Sequence, residues 1–218
     1  PVAKLDKAST ADVVAALGSP TLAERYRARI ELTSRNPVEV VATVNEWVKQ
    51  FDANNPEHAR HFVEALWTGV RNQSTDFNAS VREAVLRSPV PDARAAGVRA
   101  LRESIRSTTL RSVRGDEAFT KNAIQLVFGE YDKWLLKFAS DPSPQVRAEA
   151  VVAATYMYPK SSQAAEIIFA AMQTEQDPQL TYVINEARGI INLDAVIRDT
   201  LARGEKLSTN AEAYALSN

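Results

Sequence analysis

His58 and His61 are the chain's two histidines, and they stand three residues apart. On a helix that spacing puts both rings on one face, where a carboxylate would complete a metal site; Glu57 and Glu64 are near enough in sequence to supply one. The plainer reading leaves His58 at the surface and packs His61 at a junction between helices, so no metal is expected. Other reactive types are scarcer. With no cysteine, disulfides, thiolate metal sites, cysteine nucleophiles and covalent haem attachment are absent from these 218 residues. There is no glycine-rich phosphate loop and no G-x-S-x-G elbow. The carboxylates are scattered along helix faces, as on a solvated surface. No catalytic residue and no cofactor are expected.

The arginines are more suggestive. Eight of them (82, 87, 94, 99, 102, 106, 111 and 114) lie between Arg82 and Arg114 against three acids, Glu83, Asp92 and Glu103, a local excess of +5 in a chain of net charge −1. Arg99, Arg102 and Arg106 recur at helical spacing and share a face, which suits phosphates or an acidic protein surface. The competing reading is a solvated face balanced by acids on neighbouring helices. A duplex-binding surface would draw cations from several segments, and no other segment has a comparable excess. The expected partner is therefore a protein, or a neighbouring domain of a longer chain, rather than nucleic acid. Tyr156 and Tyr158, flanking Met157 beside Pro159, read as a packed helix end. Trp47, Trp67 and Trp134 read as mostly core.

Composition sets the frame for these residues. Hydrophobic content of 45% and charged content of 24% are enough to build a core, and seven glycines in 218 residues favour helix. No apolar run approaches the roughly 18–20 residues that span a bilayer, so no membrane insertion is expected. The sequence opens at Pro1 without a leader and is expected to be a fragment or a processed product.

The elements follow from a repeat. In "SDPSPQVRAEAVVAA", counting from Pro142, Arg147 stands five residues on, Ala150 eight and Ala154 twelve. The same offsets from Pro20 give Arg25, Ala28 and Leu32, and from Pro89 they give Arg94, Gly97 and Leu101. Weaker copies start at Pro56 and Pro178, where His61 and Val183 replace the arginine. The anchors are spaced by 36, 33, 53 and 36 residues, the period of helix pairs stacked in an α-solenoid. Proline at a helix start fits each anchor, and the Ser or Asp before it at 20, 89, 142 and 178 can cap the first turn. The small residue lets helices approach. The arginine is free to pair with an acid or a carbonyl of the adjacent repeat, as Asp141 and Arg147 suggest.

The expectation is all-α: a right-handed α-solenoid of about five HEAT-like helix pairs over residues 10–204. Helices are expected near 10–17, 20–35, 37–51, 56–72, 78–88, 91–106, 118–139, 144–157, 161–174, 178–192 and 194–204, the 118–139 segment breaking near Gly129. In "NPVEVVATVNEWVKQF", Val38, Val41, Val44, Val48 and Phe51 are expected to share the buried face. Residues 1–9 are expected to be a linker or the edge of a preceding domain, 107–128 an irregular insertion, and 205–218 a tail or linker.

Five segments in order carry a closer likeness: "RYRARIELTSRNPVEVVATVNEWV", "HARHFVEALWTGV", "PDARAAGVRALRES", "DPSPQVRAEAVVAA" and "DPQLTYVINEARGII". With "YRARIEL" and "EALW" weighing most, residues 10–204 resemble the HEAT-repeat region of large bacterial haem-binding, membrane-bound-dehydrogenase-type proteins. The resemblance implies a periplasmic or exported parent, with a β-propeller before the region and a cytochrome c domain after it. The chain itself would be a non-enzymatic spacer or docking module. That family's catalytic and haem residues lie outside the region, so none is carried over. HEAT-like alkylpurine DNA glycosylases offer the alternative, a nucleic-acid-binding solenoid. A lyase or small-molecule-binding solenoid has no residue in its favour.

Overall fold

The computed structural model describes residues 4–72, 79–113, 129–158, 161 and 163–217, with side chains of 108–113 excluded. Among them every regular element is a helix: α1 (Thr10–Ala15), α2 (Leu22–Thr33), α3 (Pro37–Val48), α4 (Ala59–Arg71), α5 (Ala79–Leu86), α6 (Pro91–Val113), α7 (described over 129–139), α8 (Pro144–Met157), α9 (Gln163–Met172), α10 (Pro178–Ile190), α11 (Leu193–Ala202) and α12 (Thr209–Ser217). Short 3-10 turns stand at Leu5–Lys7, Ala16–Gly18 and Pro56–His58. The chain divides into two compact units, Pro1–Ala100 and Leu101–Asn218.

The repeat is visible in individual hydrogen bonds. At each strong anchor the proline lies two residues before the first helical residue, which is Leu22, Pro91 or Pro144. The residue before the proline folds back through its side chain: Ser19 Oγ, Ser88 Oγ and Asp141 Oδ1 accept the N–H groups of Thr21, Val90 and Ser143 at 3.1, 3.2 and 2.8 Å. The arginine then closes the turn. Nη1 of Arg25, Arg94 and Arg147 donates to the carbonyls of Ser19, Ser88 and Asp141 at 2.8, 2.9 and 2.8 Å. The same atoms donate to the carbonyls of Pro20, Pro89 and Pro142 at 3.0, 3.3 and 3.1 Å. The first duty of each arginine is thus to its own turn. Arg147 also reaches forward, donating through Nη2 to the Glu175 carbonyl at 2.6 Å.

Two details differ from expectation. The anchor prolines stand outside the helices: the residue after the proline, Thr21 or Ser143, is the N-cap, and the side chain before the proline accepts that residue's N–H instead of capping the helix. The weaker copies build other turns: α4 starts after the 3-10 turn at Pro56, whereas Pro178 is the first residue of α10, with Asp177 Oδ1 accepting the Leu180 N–H at 2.6 Å. Lacking the arginine, neither needs the stapled geometry.

Arg147 and Asp141 are buried. Replacing Arg147 with alanine strips charged donors from three carbonyls and is expected to lower stability by about 2 kcal/mol, read as a shift of the denaturation midpoint. An unchanged midpoint would show that water serves those carbonyls equally well.

In the first unit α1 packs on α3 and α2, α3 on α4, α4 on α5, and α2 also touches α4. Val13, Val14, Leu17, Leu32, Val44 and Leu66 lie at the centre of its core. Each such side chain contributes about 2 kcal/mol by leaving water. Helix α3 is capped by Asn36 Oδ1, which accepts the Val38 and Glu39 N–H groups at 2.9 and 3.3 Å. Of the expected face Val44 and Val48 are buried and Val41 and Phe51 pack partly buried against the core, joined by Val40 and Trp47; Val38 departs from it, at 79% exposed. The second unit stacks α8 on α10 and α9, and α9 on α12.

Both ends of the chain are held to it where described. Arg35 Nη2 donates to the Leu5 and Ala8 carbonyls at 2.9 and 2.8 Å, pinning the N-terminal turn. At the other end Gly204, at φ +72, ends α11; its N–H meets the Leu201 carbonyl at 2.9 Å and that of Glu205 meets Thr200 at 3.2 Å. The chain turns there into α12, which buries Ala211 and Tyr214. Helix α6 runs on to Val113, so 107–113 is helical rather than irregular. Residues 114–128, including the expected helix start at 118, lie outside the described residues, as does Pro159.

Candidate functional site

The two histidines turn inward to aromatic neighbours. His61 stacks on Phe51 with ring centroids 4.1 Å apart and lies 5.7 Å from Trp47. His58 Nδ1 accepts the Asp52 N–H at 3.1 Å, and the two imidazole centroids are 6.0 Å apart. Glu64, the nearest candidate third ligand, is buried and held by arginines: Arg29 Nε donates to its Oε2 at 2.7 Å, Arg29 Nη2 bonds its Oε1, and Arg25 Nε lies 3.4 Å from that oxygen. Among the described residues no group of three or more His, Cys, Asp or Glu side chains is placed to hold a metal.

Burial, and then the charge of Arg60, pull His61 below its ordinary imidazole value. Its Nδ1 is buried without a hydrogen-bond partner. A lowered histidine binds fewer protons folded than unfolded, so its contribution to stability is present above about pH 6.5 and is lost as pH falls through the folded-state value. The His61→Phe variant is expected to lack this component of the loss between pH 7 and 5, measured as urea midpoints across that range. Identical pH profiles would remove His61 from the account.

The arginine strip is largely engaged within the chain. Arg87 pairs with Glu83 at 2.7 Å, and Arg94 serves its own turn. Arg102 Nη1 donates to Glu149 Oε2 on α8 at 3.1 Å, and Arg106 Nε to Glu103 Oε2 at 2.9 Å. Arg82 and Arg99 also interact within the chain. Arg111 and Arg114 lie outside the described side chains. Of the three candidate docking arginines, Arg102 and Arg106 thus each have an acid alongside, one on α8 and one on their own helix.

The surface that stands out lies in the second unit. Between α8 and α10 runs an open groove of about 360 Å³, walled by Val152, Tyr156, Tyr182, Val183 and Ile190, with Glu186 among them. Tyr156, Tyr182 and Ile190 are 40%, 64% and 56% exposed, where a packed helix end was expected for the first; Met157 beside it is fully buried. Helix α10 has two apolar stripes. Leu180, Ile184 and Ala187 face the core. Tyr182, Glu186 and Ile190, each four residues apart, line the other side. That second stripe was the signal available in the sequence. Glu186 is exposed, and no hydrogen bond or ion pair engages it among the described residues. In the first unit Leu22, Tyr26 and Ile30 repeat the pattern along α2, all exposed. The cleft beside Arg29 and Trp67 holds only about 10 Å³, no more than one water. No helix among the described residues is long and apolar enough to cross a membrane. No protein-family model, no curated protein and no solved structure matches the chain.

Proposed function

We propose that this chain is a right-handed HEAT-like α-solenoid of five helix pairs that acts as a non-enzymatic protein-interaction module. The solenoid reading is supported by the turn and arginine staple recurring at Pro20, Pro89 and Pro142, and by first helices of successive pairs touching, α2 with α4 and α8 with α10. One observation carries the interaction reading: a groove on α8 and α10 that leaves two tyrosines and an isoleucine in water, on a helix whose other stripe already fills the core. The resemblance to the HEAT region of haem-binding, dehydrogenase-type proteins adds an exported parent with redox domains on either side. A propeller upstream and a CxxCH motif downstream in the parent gene would support that context, and their absence would remove it.

A photo-crosslinking residue at position 182, introduced into the protein in its native cells, tests the interaction reading. A discrete protein adduct is expected from position 182 and none from Glu46, an exposed residue of α3. Equal labelling from both positions, or none, would count against an interaction module. The nucleic-acid alternative makes its own demand. Binding to random-sequence duplex at micromolar concentration, weakening about a thousandfold between 50 and 200 mM salt, would replace the protein reading.

A further inference from the structure

Resting on the interaction reading, the groove's chemistry narrows the class of partner. Its walls are apolar and aromatic, and its one charge is negative. Tyr156 comes from α8 and Tyr182 from α10, with Glu186 one turn beyond Tyr182. The acid nearest on α8, Glu149, is occupied by Arg102 at 3.1 Å. The nearest cation on α10, Arg188, lies over the Tyr214 ring, 5.8 Å from its centroid. Among the described residues Glu186 is therefore the groove's uncompensated charge. A carboxylate that shares a groove with two tyrosines suits a long cationic side chain, whose methylene stem can lie along the rings while its charged head meets the acid. An acidic segment would set like charges together in a partly dry groove, and a wholly apolar one would desolvate Glu186 without pairing it.

We propose that the α8–α10 groove docks a peptide segment of a partner protein that presents a lysine or arginine beside aliphatic residues, the cation paired with Glu186 and the aliphatic side chains against Val152, Val183 and Ile190. The groove selects by charge and is anchored by apolar contact. This is the reverse polarity of the arginine strip, which would seek an acidic partner.

Fluorescence anisotropy of the full chain with three labelled twelve-residue peptides tests this. All are built from leucine and alanine and differ at two central positions one turn apart, which hold lysine, norleucine or glutamate. The lysine peptide is expected to bind at least tenfold more tightly than the glutamate peptide. Substituting Glu186→Gln is expected to weaken the lysine peptide about tenfold and to leave the norleucine peptide within twofold. Substituting Tyr182→Ser is expected to weaken both. The two side chains are exposed, so each variant keeps its core, which circular dichroism checks. Equal binding of all three peptides would overturn the charge selection and leave an apolar docking groove, which the crosslink from position 182 reports independently. No binding of the lysine peptide at 1 mM, or binding unchanged in both variants, would also overturn it. Loss of the crosslink itself would remove the underlying reading instead.

Discussion

Replacing Glu64 with alanine is expected to destabilise the first unit by about 3 kcal/mol, the largest single effect anticipated in this chain. Glu64 is buried on α4 and gathers two guanidinium groups from α2, with Arg29 bonded to both its oxygens and Arg25 close to one. Three charges leave water together there, and the acid makes that tolerable. Truncation leaves Arg25, whose side chain is 13% exposed, beside an apolar core with no counter-charge. Arg29, at 34%, recovers some water, which holds the estimate at the low end of the 3–5 kcal/mol that breaking a buried pair costs. Glu64→Gln keeps the shape and some acceptor capacity and is expected to lose about half as much. Urea midpoints of the full chain at constant slope give both numbers. A loss below about 1 kcal/mol for the alanine variant would mean that the clamp is open in solution.

Gly97→Leu is expected to cost nearly as much, about 3 kcal/mol, by the opposite mechanism. A Cβ at position 97 would lie 2.7 Å from Leu86 Cδ2 and 3.2 Å from Val85 Cγ1. Both neighbours are fully buried, so neither has space to swing into. The equivalent positions are Ala28 and Ala150, so only at the approach of α5 to α6 is even a methyl too large. Gly97→Ala sets the same clash against the roughly 1 kcal/mol that alanine gains over glycine in a helix, and is expected to fall between wild type and the leucine variant. A leucine variant as stable as wild type would mean that α5 shifts away at no cost.

Helices and turns were largely legible because their signals are local. Pro144 to Met157 is the expected helix to the residue, and the offsets from Pro20, Pro89 and Pro142 marked three turns that close with the same atoms. Signals that depend on distant packing were not. Helix α12 has only two large apolar residues, Tyr214 and Leu216, and Tyr214 is held by the Phe169 ring 5.1 Å away and the Asp194 carboxylate 2.9 Å from its hydroxyl. The arginine excess was readable as composition, but its neutralisation by Glu149 required knowing that α6 and α8 are neighbours. The groove was hidden differently. Tyr182 and Ile190 read as more apolar residues on an amphipathic helix, and only burial shows which of its two stripes faces inward.

The staple has a kinetic consequence. Arg25, Arg94 and Arg147 each bond carbonyls five and six residues back. A loop that short closes in roughly 10–100 ns or less and waits for no distant segment. Each staple fixes the angle at which the chain enters a helix before that helix has met its neighbours, so the entropy of choosing that angle is spent early and locally. The turns at Pro56 and Pro178 have no arginine staple; there Asn55 Oδ1 and Asp177 Oδ1 accept the Glu57 and Leu180 N–H groups instead. The chain therefore has three such local seeds, while α4 and α10, the helix that bears Glu186, start without one.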